Sequence, residues 1–228
     1  SGGGVLHLNS SAIFENAGRI DYYYSSTMDT DGTGTFRTLT GSQTHFYGID
    51  PRGYFSGEVT CAVPFDFAGQ VYANQGKTVI FNQGGLLNET AKISPNHQNS
   101  NINLTGTGKI YRVRGQANEF PGTGYVNLVG TTLQFEASSI QGHESRIAAG
   151  ARVGFHGNNT VKGTGTLSST GLVFQNGDQT IDGATLQTTG GDVSVWNATN
   201  RRVQFKNGAK FNNTGRFVIQ TRAGTDGN

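Results

Sequence analysis

The stretch RVGFHGNNTVKGTGTLSSTGLVFQNGDQTIDG, residues 152–183, decides the fold because one short pattern occurs in it more than once. Val153 and Phe155 form an apolar pair two residues apart, and the run FQNGD brings an aromatic residue followed by Asn and Gly at Phe174. Residues two apart on an extended strand share a face, so such a pair points inward and the residue between them points outward. Asn and Gly accept the positive φ of a tight corner. The pattern therefore predicts short strands separated by corners.

The spacing of equivalent positions predicts how these strands are arranged. One apolar series has residue-number differences of 20, 19, 21 and 22: Phe135, Phe155, Phe174, Val195 and Phe217. A second series has differences of 21, 20 and 22: Ile140, Val161, Ile181 and Val203. A period of about 20 residues with several strands per repeat is typical of one coil of a parallel β-helix. We predict an all-β, right-handed parallel β-helix, a solenoid in which Phe stacks on Phe. A β-sandwich is the alternative, since it also has many short strands, but it does not require a constant period.

A recurring motif supports the repeat. An aromatic residue, a Gly four positions later and an apolar residue two further on occur in FENAGRI at 14–20, FDFAGQV at 65–71, FNQGGLL at 81–87 and FNNTGRF at 211–217. We expect the aromatic side chain to point inward and the Gly to permit a bend.

The chain is predicted to form a single β-helix domain over residues 1–228. Regular coils are expected over 65–228, and a less regular capping or loop region over 1–64. The stretches at 21–36 and 42–57 resemble longer loops or an insertion, and Pro51 and Pro64 punctuate this region.

Composition excludes several classes of protein. Charged residues make up 14% of the 228 residues and the formal net charge is +2, so we expect no nucleic-acid partner. No apolar run approaches the roughly 20 residues that span a bilayer, so we expect no membrane insertion. The one cysteine, Cys61, excludes an intrachain disulfide and is predicted to be a buried, unreactive thiol. The chain opens with Ser1, and we expect a processed or excised chain.

The residues at 63–93, with LTGTGKI at 104–110 and VKGTGTL at 161–167, resemble the repeats of large bacterial surface and secreted proteins. Such repeats build parallel β-helices in adhesins and autotransporter passengers. The resemblance covers residues 65–219, and it implies an extracellular solenoid that is secreted or held at the cell surface. The run His143 to Ser145 matches no repeat position, so an individual function could reside there.

Catalytic candidates are few. Some β-helices are polysaccharide lyases or hydrolases, and hydrolysis with inversion needs carboxylates that converge on one face. Asp178 and Asp182 in GDQTIDG are the best pair, with Asp192 about half a coil further on. The alternative, which we favour, is that both cap turns with their side chains.

Metal-binding candidates are also few. Asp29 and Asp31 in DTDGTG begin like a calcium loop, yet the later Glu of an EF-hand is missing. The five histidines lie far apart in the sequence, without the spacing of metal ligands: His7, His45, His97, His143 and His156. We expect no obligatory cofactor, and Ca²⁺ is the one ion that the sequence leaves open.

Aromatic residues of the N-terminal region are the candidates for ligand binding. Exposed rings stack on sugars and anchor protein interfaces. The candidates are Tyr22, Tyr23, Tyr24, Tyr47 and Tyr54. The alternative is that they pack beneath a loop or cover the end of the solenoid.

These observations predict an extracellular structural or adhesive β-helix module, as a subunit or segment of a larger surface assembly or fibre. A carbohydrate-binding module and a polysaccharide-degrading lyase or hydrolase are the alternatives, and the sequence favours a protein that is not an enzyme. The expected partners are further copies of the chain, other surface proteins or a polysaccharide.

Overall fold

A computed structural model describes residues 5–9, 11–22, 27–30, 34–47, 58–138, 143–197 and 201–220. Within these residues the chain forms 28 strands and no helix. The strands assemble into three parallel sheets of ten, nine and nine strands, named A, B and C here.

Sheet A contains β1 (Val5–Leu8), β4 (Thr27–Thr30), β7 (Glu58–Ala62), β10 (Thr78–Phe81), β13 (Asn101–Thr105), β16 (Tyr125–Val129), β19 (Arg152–His156), β22 (Leu172–Gln175), β25 (Ser194–Asn197) and β28 (Phe217–Gln220). Sheet B contains β2 (Ile13–Asn16), β5 (Thr35–Thr38), β8 (Phe65–Phe67), β11 (Gly85–Asn88), β14 (Ile110–Arg114), β17 (Thr132–Phe135), β20 (Asn159–Lys162), β23 (Gln179–Asp182) and β26 (Val203–Lys206). Sheet C contains β3 (Arg19–Tyr22), β6 (Gln43–Tyr47), β9 (Gln70–Asn74), β12 (Lys92–Pro95), β15 (Asn118–Phe120), β18 (Ser145–Ala149), β21 (Gly165–Ser169), β24 (Thr185–Thr188) and β27 (Lys210–Asn213).

The chain visits sheets A, B and C in turn, so that three successive strands make one coil. Each strand pairs with the strand three places earlier and the strand three places later in the chain. Each pairing between described strands is parallel, for example β16 with β19 and β19 with β22. The predicted parallel β-helix is therefore confirmed. The β-sandwich alternative is wrong, because its neighbouring strands would be antiparallel.

The core consists of columns of inward side chains that run from coil to coil along each of the three sheets. In sheet A, Phe81, Leu104, Leu128, Phe155 and Phe174 occupy one register position in consecutive strands, and all are buried. The rings of Phe155 and Phe174 stack with centroids 4.8 Å apart, as the spacing predicted. Burying one such side chain stabilises the fold by about 1.5–3 kcal/mol.

Three members of the first series do not belong to this column. Phe135 lies in sheet B, opposite Val113, and so on another wall of the core. Val195 lies in register with Val173 on the outward face, and Trp196 takes the inward place beside Phe174. A shift of one residue turns a strand position to the opposite face, and corners of unequal length produced that shift. The third, Phe217, is in register with Ser194, two residues before Trp196, and it contacts Phe174 edge to face at 6.4 Å.

The second series is correct over Val161 and Ile181, which pair in sheet B and are buried. In the next strand of sheet B the residue in register with Ile181 is Phe205. The predicted residue, Val203, is instead in register with Gln179, two residues before Ile181. Ile140 lies outside the described residues.

The four motif copies mark corners and not one fixed position in the coil. Residues 14–20 and 65–71 turn from sheet B to sheet C, 81–87 turn from A to B, and 211–217 turn from C to A. The motif recurs because all three corners impose the same requirement, an inward aromatic residue before a bend.

Buried polar side chains stabilise the corners. The Asn159 carboxamide accepts a hydrogen bond from the Thr131 backbone N–H at 3.0 Å and donates one to the Gln179 Oε1 at 3.0 Å. Gln179 in turn donates to the Gly157 carbonyl at 2.8 Å. Because each partner belongs to a neighbouring coil, these bonds satisfy buried polar groups and also join the coils.

Strands β1 to β7, which lie within residues 1–64, join the same three sheets. Residues 48–57, including Pro51 and Tyr54, lie outside the described residues, and the proposed division of the domain stays a prediction. Cys61 is buried, as expected, and burial raises the pKa of its thiol to about 12. In the last described coil, Phe205 and Ile219 are 44% and 57% exposed.

A glycine between two aromatic rings tests the packing. Gly85 lies between Phe65 and Tyr111 in one column of sheet B, and a Cβ there would lie 2.5 Å from the Phe65 Cγ. We expect Gly85→Ala to lower the free energy of unfolding by about 1–3 kcal/mol, because the rings must move. Denaturation by urea measures this. The matched control is Gly18→Ala, since a Cβ at Gly18 meets no atom within 4 Å; equal losses in the two variants would contradict the packing.

A buried lysine predicts a pH dependence. Lys77, between β9 and β10, is 1% exposed, and burial lowers its pKa from 10.5 to about 8. Between pH 8 and 10.5 the unfolded chain holds a proton at this lysine that the folded chain has released, so stability rises with pH over this window. We expect Lys77→Met to remove that rise, measured as the free energy of unfolding against pH. Lys162→Met, on the outward face of sheet B, should keep it, and parallel curves for wild type and Lys77→Met would contradict the assignment.

Candidate ligand-binding groove

One outward row of sheet C changes abruptly in side-chain size. Lys92, Glu119, Ala148, Ser168 and Gln187 occupy one register position in the consecutive strands β12, β15, β18, β21 and β24. Adjacent strands lie about 4.8 Å apart, so the backbones that carry Glu119 and Gln187 are about 14 Å apart. Two small side chains between two long ones leave a depression in the face of the sheet.

This depression has two adjoining parts, with volumes of about 550 and 420 Å³. Both parts are lined by Ala148, Ser168 and Thr189, so they form one groove across β18 and β21. We call it the sheet C groove. It runs along the strand direction, with β15 on one side and the end of β24 on the other.

The larger part is closed at one end by a segment outside the repeat. His143 and Glu144 line it together with Gln116 and Arg146. The neighbouring residue, Ser145, is buried; its hydroxyl donates to the Glu136 carbonyl at 2.6 Å and accepts from the Gly115 N–H at 3.0 Å. The run at 143–145 thus adds two lining residues, His143 and Glu144, to the groove. Ser145 fixes this run to Glu136 and to Gly115 of the neighbouring coil through its two hydrogen bonds.

The smaller part is bounded by a turn after β15. Pro121 and Gly122 line it, and the Ser94 hydroxyl donates to the Pro121 carbonyl at 3.0 Å. Gly122 has a φ of 109°, and a Cβ there would lie 2.5 Å from the Pro95 carbonyl oxygen. Only glycine allows this close approach, so the backbone shapes the wall.

The larger part of the groove has a mixed polar and apolar lining, the smaller part is mainly apolar, and the charges along both are close to balance. The Glu119 carboxylate is paired with the Lys92 ammonium at 2.9 Å. Arg146 and Glu144 contribute one charge of each sign. Hydroxyl and amide side chains make up about half of the other lining residues: Gln116, Thr166, Ser168, Thr170, Gln187 and Thr189. Such groups donate and accept hydrogen bonds, and the smaller part adds apolar surface, so the groove suits an uncharged molecule that has both polar groups and an apolar face.

The two catalytic candidates lie at opposite ends of β23, about 13 Å apart along the strand. The Asp178 carboxylate accepts from the Arg202 backbone N–H at 3.0 Å, and the Asp182 carboxylate accepts from the Asn207 amide at 2.6 Å. These contacts are those of corner caps that link one coil to the next. The structure brings neither residue to the sheet C groove, and a catalytic role for them stays a prediction.

Asp192 belongs to a separate surface network. Its carboxylate accepts from Arg152 Nη2 at 2.7 Å and from the Thr170 hydroxyl at 3.1 Å. The hydrogen bond from Arg152 lowers the pKa of this carboxyl, so it is held in its charged form. Arg152 also donates to the Tyr125 hydroxyl at 2.8 Å, which ties the turn before β25 to sheet A.

Two of the predicted ligand-binding tyrosines are described, and their environments differ. Tyr22 stacks on the buried ring of Phe46 with centroids 4.8 Å apart, and burial raises its pKa. Tyr47 lies on the outward side of sheet C, where its hydroxyl accepts from Arg19 Nη2 at 3.0 Å. Tyr23, Tyr24 and Tyr54 lie outside the described residues.

An outward aromatic stack includes one residue that sequence analysis missed. The His45 ring stacks on Tyr72 at 4.4 Å and on Tyr47 at 5.8 Å, with interplanar angles of 15° and 17°. Tyr72 lies between the buried residues Val71 and Ala73, an alternation that marks it as outward. The two tyrosine rings therefore each use one face to stack on His45.

The described residues contain no group of three or more His, Cys, Asp or Glu side chains placed to hold a metal ion. The backbone of Asp29 lies in β4, but its side chain is not among the described parts of the structure. Asp31 lies outside the described residues. A Ca²⁺ site at these positions stays a prediction. Over the same described residues, no helix has the length and apolar character to cross a membrane.

Comparisons with known proteins gave no match: no family model, no curated protein and no solved structure is similar to this chain.

Proposed function

We propose that this protein is a structural and adhesive module of an extracellular surface, a stiff solenoid that contacts its partners along its sides. The observation that carries this proposal is the single continuous core. Buried apolar side chains from Leu8 to Leu186 form one cluster, and each coil is hydrogen-bonded to the coils before and after it. Bending or stretching such a rod must break several parallel strand pairings together, a property suited to bearing load.

The outward rows support contact with an extended partner. In sheet B, Arg37 lies between Glu15 and Asp66 in register, and its guanidinium approaches each carboxylate to 3.4 Å. Rows of this kind repeat at the spacing of the coils, about 4.8 Å. A surface that repeats at short, regular intervals can engage a polymer at several points, and many weak contacts then add up to firm attachment.

Carbohydrate binding is the second candidate, and the sheet C groove favours it. Its open shape and its hydroxyl and amide lining fit a sugar chain. The polysaccharide-degrading alternative has less support, because Asp178 and Asp182 stand apart and act as corner caps.

A bead-attachment assay tests the adhesive role. Beads coated with the protein are passed under flow over immobilised cell-wall polysaccharide, extracellular-matrix protein and cultured cells. We expect attachment to at least one surface well above that of albumin-coated beads, without release of reducing sugar. Gly18→Ala should preserve attachment, and Gly85→Ala should lose it at a temperature where only that variant is unfolded. Attachment no stronger than albumin, or release of reducing sugar, would contradict the proposal.

A further inference from the structure

We propose that the sheet C groove binds one extended chain of a neutral polysaccharide, laid along the strand direction between Glu119 and Gln187. This inference rests on the proposed adhesive function and assigns it a ligand class and a site.

The shape of the groove favours a chain over a compact ligand. Its floor is formed by Ala148 and Ser168 on neighbouring strands, and it runs past Gly150 and Thr170 to the open side of the turn at Gly122. Pockets for small molecules bury most of the ligand surface. A shallow groove that is open to solvent along its length instead accommodates a segment of a polymer, with His143 and Glu144 at one end.

The lining chemistry favours a sugar. Threonine, serine and glutamine side chains face the groove from β21 and β24 and from Gln116 and Thr189 beside the strands, and each can both donate and accept a hydrogen bond, as sugar hydroxyls do. Ala148 and Pro121 add small apolar surfaces against which the C–H face of a pyranose ring can pack.

The charge of the groove favours a neutral chain. Arg146 and Glu144 oppose each other in sign, and Lys92 neutralises Glu119 at 2.9 Å. A polyanion would therefore meet no net positive charge to offset the cost of desolvating its own charges. A neutral chain meets no such penalty.

The strand pairing disfavours a peptide. An extended peptide gains affinity by adding to the free edge of a sheet. The floor strands β18 and β21 are each paired on both edges, with β15 and β21 and with β18 and β24. The backbones of β18 and β21 therefore have no free strand edge with which a peptide could pair, and only side chains can recognise the ligand.

Filling the floor tests the inference. Ala148→Tyr and Ser168→Tyr place a large outward ring where the chain would lie. The matched control is Thr160→Tyr, an outward position of sheet B that pairs with Thr132 and Thr180. The probes are immobilised mannan, β-glucan and arabinoxylan as neutral chains, and polygalacturonate as the anionic comparison, with binding measured by surface plasmon resonance. Circular dichroism and the thermal midpoint verify that each variant folds.

We expect the wild type to bind at least one neutral polysaccharide. The two floor variants should weaken that binding by about tenfold or more, and Thr160→Tyr should stay within about twofold. Gln187→Ala, which removes a wall without filling the floor, should weaken binding to an intermediate degree.

Three results would overturn the inference: folded floor variants that bind as the wild type does, binding of polygalacturonate alone, and no binding of any probe. The bead-attachment assay separates this failure from failure of the adhesive role. Beads that attach although no neutral polysaccharide binds would leave adhesion standing and remove the groove as its site. Polysaccharide binding that depends on the groove, without bead attachment, would support the groove as a binding site and contradict the adhesive role.

Discussion

Parallel pairing between coils is the interaction on which the rest of the structure depends. The strands are only three to five residues long, and a strand of that length has no stability alone. Stacking gives each one a hydrogen-bonding partner in the next coil and aligns its inward side chains with those of its neighbours, as Phe155 aligns with Phe174. The outward rows are a consequence of the same register, and so is the sheet C groove, which exists because Ala148 and Ser168 are neighbours across two coils.

The period and the type of fold could be predicted from the sequence, because side-chain alternation and glycine-containing corners are local signals that recur along the chain. The face of each residue could not always be predicted. Paired residues in sheet A are separated by 19 positions between Phe155 and Phe174, but by 27 between Leu128 and Phe155. Counting at a fixed interval therefore placed Phe135 on the wrong sheet and Val195 on the wrong face.

The unknown register between coils also explains why the sheet C groove could not be predicted from the sequence. The tyrosines at 22 and 47 stood out because aromatic residues are conspicuous, yet Tyr22 packs on the core. The floor of the groove is formed by small side chains. In the sequence these are marked only by the doublets Ala148–Ala149 and Ser168–Ser169. Each doublet is unremarkable by itself, and the groove appears only once the register between coils is known. The run at His143 to Ser145 was detectable, because it interrupts the repeat.

The most direct test of this account is the proximity of residues one coil apart, measured by through-space NMR contacts between assigned side chains. The account predicts contacts from the ring of Phe155 to that of Phe174, 19 positions later, and to Leu128 on the other side. Backbone contacts between β19 and each of its neighbours should follow a parallel pattern. A Phe155 ring without these two partners, on a strand whose backbone contacts are antiparallel, would contradict the stacked coils and everything derived from them.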